Sequence, residues 1–272
     1  MSSRWSLNSE APKIWRADES GGHGVATLAR GPCALTRRQR LDVAREVAEA
    51  LCDRYGDHID LVALFGSTAR GDDAAYSDIE LLCVVSGQHH EFKRHLIWHG
   101  SKIEIELCRK RNAYLQAGIV TEWWPLTHEK FRSLRRIYGD RGLCARLRNL
   151  PTTAPIEACR AVAKRIIISR VYEGIGKVRN AVKSRRYSSL PLLTFKIAES
   201  VALMLALYYR KPYSNTVRMF SESLSFGDYP AGYGAICEVI MLGPWRNVHT
   251  LAPMLEELWS GVVQWATAKG LE

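Results

Sequence analysis

Residues 64–85 read LFGSTARGDDAAYSDIELLCVV, and the two acids late in this stretch decide how the chain is built. Asp78 and Glu80 alternate with Ile79 and Leu81 in what reads as a buried strand. Side chains two apart on a strand leave the same face, with their Cα atoms about 7 Å apart. Two carboxylates so placed repel each other, so protonation, solvent or a bound cation must compensate. The upstream half offers the matching chemistry. Gly66 and Ser67 close an apolar strand, DLVALF (60–65), and ten residues separate Ser67 from Asp78. A glycine there lets backbone amides approach a ligand, and a serine at a helix start offers its hydroxyl and amides to phosphate. Arg70, one turn on, suits a phosphate fork.

A further strand, SKIEIEL (101–107), alternates strictly: Lys102, Glu104 and Glu106 point one way, and Ile103, Ile105 and Leu107 the other. If it lies beside the SDIELLCVV strand, Glu104 joins Asp78 and Glu80. An all-oxygen ligand set of this kind selects Mg²⁺ or Mn²⁺ over zinc. A phosphate cradle next to such carboxylates points to nucleotidyl or phosphoryl transfer.

Around this centre the pattern is α+β. Thr36 and Gln39 form a capping box that opens a helix, residues 112–138 read as helical, and prolines mark a boundary near 150. The second half is helical throughout, with segments at 155–184, 190–210, 216–224, 231–242 and 250–268. The expected organisation is an N-terminal extension (1–34), an α/β domain with a small mixed sheet (35–150) and a C-terminal helical bundle (151–272).

The 272-residue chain carries a net charge of +10, which suggests a phosphate-bearing partner or serves solubility alone. The N-terminus has no apolar signal-like core, and the most apolar helix, ESVALMLALYYRKP, is about half a membrane span in length. Cytoplasmic residence without a membrane partner is expected. The seven cysteines are scattered without a CxxC, so they read as reduced core residues. His95 and His99 are four apart, a metal-ligand spacing on a helix, but no carboxylate or cysteine framework surrounds them, and a structural or surface role is expected.

GSTARGDDAAYSDIEL resembles the signature of the DNA-polymerase-beta-like nucleotidyltransferases. YSDIELLCVV, KIEIEL, WPLTHEKF, YEGIGKVRN and LEELWSGVVQW, in that order, are similar to the kanamycin nucleotidyltransferase, or aminoglycoside 4'-O-nucleotidyltransferase, family over about residues 60–266. The resemblance implies transfer of a nucleoside monophosphate from a Mg²⁺-bound nucleoside triphosphate to an aminoglycoside hydroxyl, with loss of pyrophosphate. It implies Asp78, Glu80 and Glu104 as metal ligands, with Gly66, Ser67, Arg70 and Ser77 at the triphosphate. Glu173 would take the proton from the attacking hydroxyl and touch the drug, and Lys177 would bind phosphate. Asn215 and Thr216 would lie near the nucleotide. It also implies a homodimer whose sites take metal carboxylates from one chain and the base from the other.

Taken alone, Glu173 and Lys177 are an i, i+4 pair of the kind that forms surface ion pairs. Gly174 and Gly176 beside them suggest close approach of a ligand or another backbone. The chain departs from the family by carrying His95 and Trp123 where acids for a cationic drug are expected, with Glu122 a substitute. Ser169 stands at a further acidic position. Two rival readings keep the residues and change the function. One is a polymerase-beta-like enzyme acting on RNA or protein. The other is a non-catalytic binder of nucleotide or nucleic acid. No RNA-binding module is recognisable, so no nucleic-acid partner is expected.

Overall fold

The computed structural model describes residues 31–243 and 247–271, so the expected extension lies, up to residue 30, outside the described residues. In chain order the elements are α1 (Arg37–Tyr55), β1 (Ile59–Phe65), α2 (Gly66–Arg70), β2 (Ile79–Val85), β3 (Phe92–Trp98), β4 (Ser101–Arg109) and α3 (Lys110–Gly118). There follow α4 (Trp124–Thr127), α5 (Glu129–Arg132), β5 (Arg135–Gly139), α6 (Arg141–Asn149), α7 (Ile156–Ile166) and α8 (Glu173–Lys183). The last are α9 (Leu190–Tyr209), α10 (Met219–Ser223), α11 (Tyr233–Leu242) and α12 (Leu251–Ala268). The chain divides into two compact units, one running to Ala117 and resuming at Lys130–Thr152, the other made of Gly118–Glu129 and the residues from Thr153 on.

The first unit is a five-stranded mixed sheet in the order β3-β4-β2-β1-β5. Its strands alternate between two apolar layers. Ile79, Leu81 and Cys83 join Ile103 and Ile105 beneath α1, while Leu82, Val84 and Cys108 face Phe131, Leu143 and Leu147 on the other side. The capping box holds at the head of α1, where the Thr36 side chain accepts from Gln39 N and the Gln39 side chain accepts from Thr36 N. β2 pairs antiparallel with β1 and parallel with β4. β2, between them, is buried on both faces from Leu81 on, as its near-continuous apolar run requires.

Two strands escape the sequence pattern. β3 falls within HHEFKRHLIWH, so the i, i+4 spacing of His95 and His99 is not helical; His95 lies on the strand and His99 in the following turn at φ 49°. β5 lies within the stretch expected to be helical, as a short edge strand whose two arginines are exposed.

The second unit is helical. α9 runs through its core, with Ile197, Val201, Met204 and Leu205 buried among residues of the surrounding helices. With the turn before it, this helix is long and apolar enough to cross a membrane, contrary to the half-span reading, but two-thirds of its most apolar window (67%) is buried inside the protein. α7 and α8 form one continuous rod joined by a π-helical turn, Ile167–Tyr172. Gly174 follows it because α8 lies close on α9, where a Cβ would come 2.7 Å from Ile197 Cγ1.

Candidate active site

The sheet register builds the site. Because β1 and β2 are antiparallel, the end of β1 meets the start of β2, and Phe65 stands opposite Glu80. The turn at Gly66 is therefore brought against the carboxylates. Because β2 and β4 are parallel, Glu80 lies beside Glu104, and Asp78 precedes the Ile79–Ile103 pair by one step. Gly66 has φ +70°, and a Cβ there would sit 1.6 Å from Glu80 Oε2. Only glycine leaves room for this carboxylate under the turn.

Three further residues hold the frame. The buried Thr68 hydroxyl donates to the Asp78 carbonyl at 3.2 Å, tying α2 to the head of β2. Ser133 Oγ accepts from Gly66 N at 3.1 Å. Asp73 is clamped by Arg37 and Arg40 of α1, anchoring the loop between α2 and β2. Burial raises the Asp73 carboxyl, but the hydrogen bonds from Arg40 and Arg37 more than offset it and hold the group below its ordinary range. None of the three stands out in the sequence, because each partner is remote and neither a Thr nor a Ser carries a spacing signal.

The charge problem posed by Asp78 and Glu80 is real in the folded chain. Burial, then Asp78 and then Glu104, push the Glu80 carboxyl up to about 7, against the opposing charges of Lys102 and Arg70. Lysines supply the compensation. Lys102 Nζ lies 3.1 Å from Asp78 and 3.7 Å from Glu104, and Lys93 Nζ lies 2.6 Å from Glu104. Burial lowers the Lys102 ammonium, but the Asp78 hydrogen bond and the three carboxylate charges leave it raised overall. His95 Nε2 also reaches Glu104, at 3.1 Å. Glu106, on the same strand, is taken by Lys130 at 2.8 Å.

Among the described residues no three His, Cys, Asp or Glu side chains converge as a finished metal cage. The donor chemistry nevertheless suits a hard divalent cation. Asp78 and Glu80 present oxygen only, Glu80 is held in a repulsive field that a cation relieves, and a lysine ammonium already occupies that field.

A raised carboxylate has a measurable consequence. The favourable, protonated form of Glu80 contributes fully below its unfolded pKa, and that contribution is lost as pH rises through about 7. Glu80→Gln is therefore expected to stabilise the chelator-treated protein, by on the order of 1–3 kcal/mol above pH 7, with no gain near pH 4. Thermal melts across pH check it; an equal gain at every pH would show that the substitution acts through packing instead.

The remaining expected residues divide between the units. In the first, Ser67 is the second residue of the short α2, Ser77 Oγ accepts from Ala74 N at 2.9 Å, and Arg70 Nε lies 3.3 Å from Asp72. A phosphate at Arg70 competes with that carboxylate. In the second unit, Glu173 and Lys177 form an exposed ion pair at 2.6 Å, and the Lys177 hydrogen bond keeps the Glu173 carboxyl below its ordinary range. Asn215 Oδ1 accepts from Arg218 N at 2.8 Å, and Thr216 is exposed beside it. Glu122 is paired with Arg165 at 3.4 Å and Arg170 at 3.8 Å, and Arg170 lies 4.7 Å from the centroid of the Trp123 ring. Its charge is already offset within its own unit. His99 pairs with Glu46 at 3.1 Å.

Comparison with known proteins agrees with this geometry. A family model described as Nucleotidyltransferase domain matches residues 44–130, and one described as KNTase C-terminal domain matches residues 141–272. A protein from Staphylococcus aureus named Aminoglycoside nucleotidyltransferase (4') is 29% identical over 240 residues, covering 88% of this chain and 95% of its own length. A protein of the same name from a Bacillus species matches with the same identity and coverage. Among solved structures, a nucleotidyltransferase-like protein from Exiguobacterium sibiricum superposes with a TM-score of 0.55 at 9% identity. The match covers 83% of this chain and 76% of that one and supports the fold.

Proposed function

We propose, for a chain that belongs to the kanamycin nucleotidyltransferase family, transfer of a nucleoside monophosphate from a nucleoside triphosphate to the 4'-hydroxyl of an aminoglycoside. The observation that carries this reading is the register that sets Glu80 opposite Phe65 and beside Glu104, against the Gly66–Ser67 turn. Similarity over 95% of the length of the 4'-specific relatives supports the substrate.

In this reaction the drug oxygen forms a bond to the α-phosphorus, the bond from that phosphorus to the bridging oxygen breaks, and pyrophosphate leaves. Asp78 and Glu80 would hold a divalent cation, Mg²⁺ in the first instance, and Glu104 would complete the set. When bound, the cation offsets charge on the triphosphate and on the leaving pyrophosphate. Ser67 and the α2 backbone orient the triphosphate, with Arg70 at its tail and Ser77 alongside. Glu173 accepts the hydroxyl proton. An exposed carboxylate is ionised at neutral pH, and the Lys177 hydrogen bond lowers Glu173 further, so it is in the accepting form without prior deprotonation. Lys177 is then positioned for phosphate, and Asn215 and Thr216 for the nucleotide. Glu122 contributes to drug binding only against its two arginines, which predicts a drug range differing from that of relatives with free acids. ATP as donor, cytoplasmic residence and a homodimer with shared sites complete the reading, and modification of the drug amounts to antibiotic resistance.

The test is incubation with Mg-ATP and a panel of aminoglycosides, following pyrophosphate release and drug mass. A gain of one nucleoside monophosphate is expected on drugs bearing a 4'-hydroxyl and none on a 4'-deoxy drug. Equal modification of the 4'-deoxy drug would overturn the regiochemistry, and no pyrophosphate with any drug would overturn the substrate class.

A further inference from the structure

A second charged feature of the first unit borders this site. Residues 132–148, RSLRRIYGDRGLCARLR, hold six arginines and one acid, Asp140. Asp140 is committed locally: it caps α6 by accepting from Gly142 N at 2.6 Å and pairs with Arg146 at 3.4 Å. The other five arginines, 132, 135, 136, 141 and 148, line a single open groove of about 520 Å³ at the β5 edge of the sheet, and no carboxylate lines it with them. All five are exposed, and Arg135, Arg141 and Arg148 enter no ion pair among the described residues.

Charge on an edge strand guards against edge-to-edge association, and β5 alone would satisfy that need with Arg135 and Arg136. It does not account for Arg141 and Arg148, which approach the same groove from α6. Like charges converging from two elements on a concave surface focus a positive field and raise the local concentration of anions. The shape argues against a planar lipid surface, and guanidinium is the side chain that grips phosphate oxygens two at a time.

We propose that this groove docks the phosphate backbone of single-stranded nucleic acid, beside the transferase turn, whose Ala69 and Ser133 also line it. The contacts are to phosphate, so binding is without sequence preference and is governed by counterion release. On this proposal the net charge of +10 acquires a location, against the sequence-based expectation of no nucleic-acid partner.

The test is fluorescence anisotropy with labelled 20-nucleotide RNA and DNA strands from 50 to 200 mM salt. Four or five phosphate contacts at about 0.7 each give a log–log salt slope near −3, a loss of about sixtyfold in affinity over that range. Arg141→Gln with Arg148→Gln should weaken binding at least about tenfold at 50 mM and halve the slope, whereas the paired lysine substitutions should keep the slope. Both variants should retain the wild-type melting profile and the drug-modifying rate, because neither residue belongs to that machinery. Salt-dependent binding of either strand, equal or with RNA the tighter, supports the proposal. Absent binding, a slope unchanged in the Gln variant, or capture by phosphatidylserine vesicles in preference to both strands would overturn it.

Discussion

Asp78→Asn is expected to lower drug modification by about a thousandfold or more, some 4 kcal/mol of transition-state stabilisation, while the protein stays folded. The substitution is nearly isosteric and removes one of two repelling charges, so the sheet has no reason to come apart. The Thr68 hydroxyl bonds the Asp78 backbone carbonyl, not its side chain, and that tie survives. What is lost is an anionic oxygen donor for the cation, for which an amide oxygen is a poor replacement. The variant also frees Lys102 from its 3.1 Å contact, a half-exposed pair of small energetic weight. Loss of turnover must therefore come from the reaction and not from unfolding. Isothermal titration with Mg²⁺ and nucleotide, beside single-turnover kinetics, separates the two. Activity within about tenfold of wild type, only ~1.4 kcal/mol, would remove Asp78 from the metal set.

Asp78 could be singled out from sequence because its alternation with apolar residues is a local signal, carried within four positions at the head of one strand, although the strand itself starts one residue later, at Ile79. The same logic made β1, β2 and β4 legible, and the capping box made the head of α1 legible. β3 was not, since Phe92–Trp98 mixes basic and apolar residues without period-two alternation, and its strand state comes from antiparallel pairing with β4. β5 was hidden for a related reason: five residues, two of them exposed arginines, hold their shape only by pairing with β1. Within the site, the acids were readable but their counter-ions were not. Lys93 and His95 reach Glu104 across the β3–β4 pairing, which no local spacing reveals. The pairing of Glu122 depends on Arg165 and Arg170, more than forty residues away in the chain. Sequence patterns thus identified groups able to do chemistry, and long-range pairing decided which of them were already occupied.

Complementation between two inactive variants is the other large effect expected. Asp78 and Glu173 belong to different compact units of the chain. If each site of a homodimer draws its metal carboxylates from one subunit and its base from the other, the two defects are separable. Ile168 (64%) and Tyr172 (61%), close before Glu173 in sequence, are exposed apolar side chains that a partner subunit would cover. Asp78→Asn homodimers would lack the cation at both sites, and Glu173→Gln homodimers would lack the proton acceptor at both. In a mixed dimer the defects segregate under two-fold symmetry, so that one site carries both and the other carries neither. Random pairing makes about half of the dimers mixed, and each has one working site of two, so activity should return to roughly a quarter of wild type. Co-expression with two affinity tags isolates the mixed species, which alone should show about half the wild-type rate per dimer. A pure mixed dimer as inactive as its parents would place Asp78 and Glu173 of the same subunit in one site, and the shared-site arrangement would have to be given up.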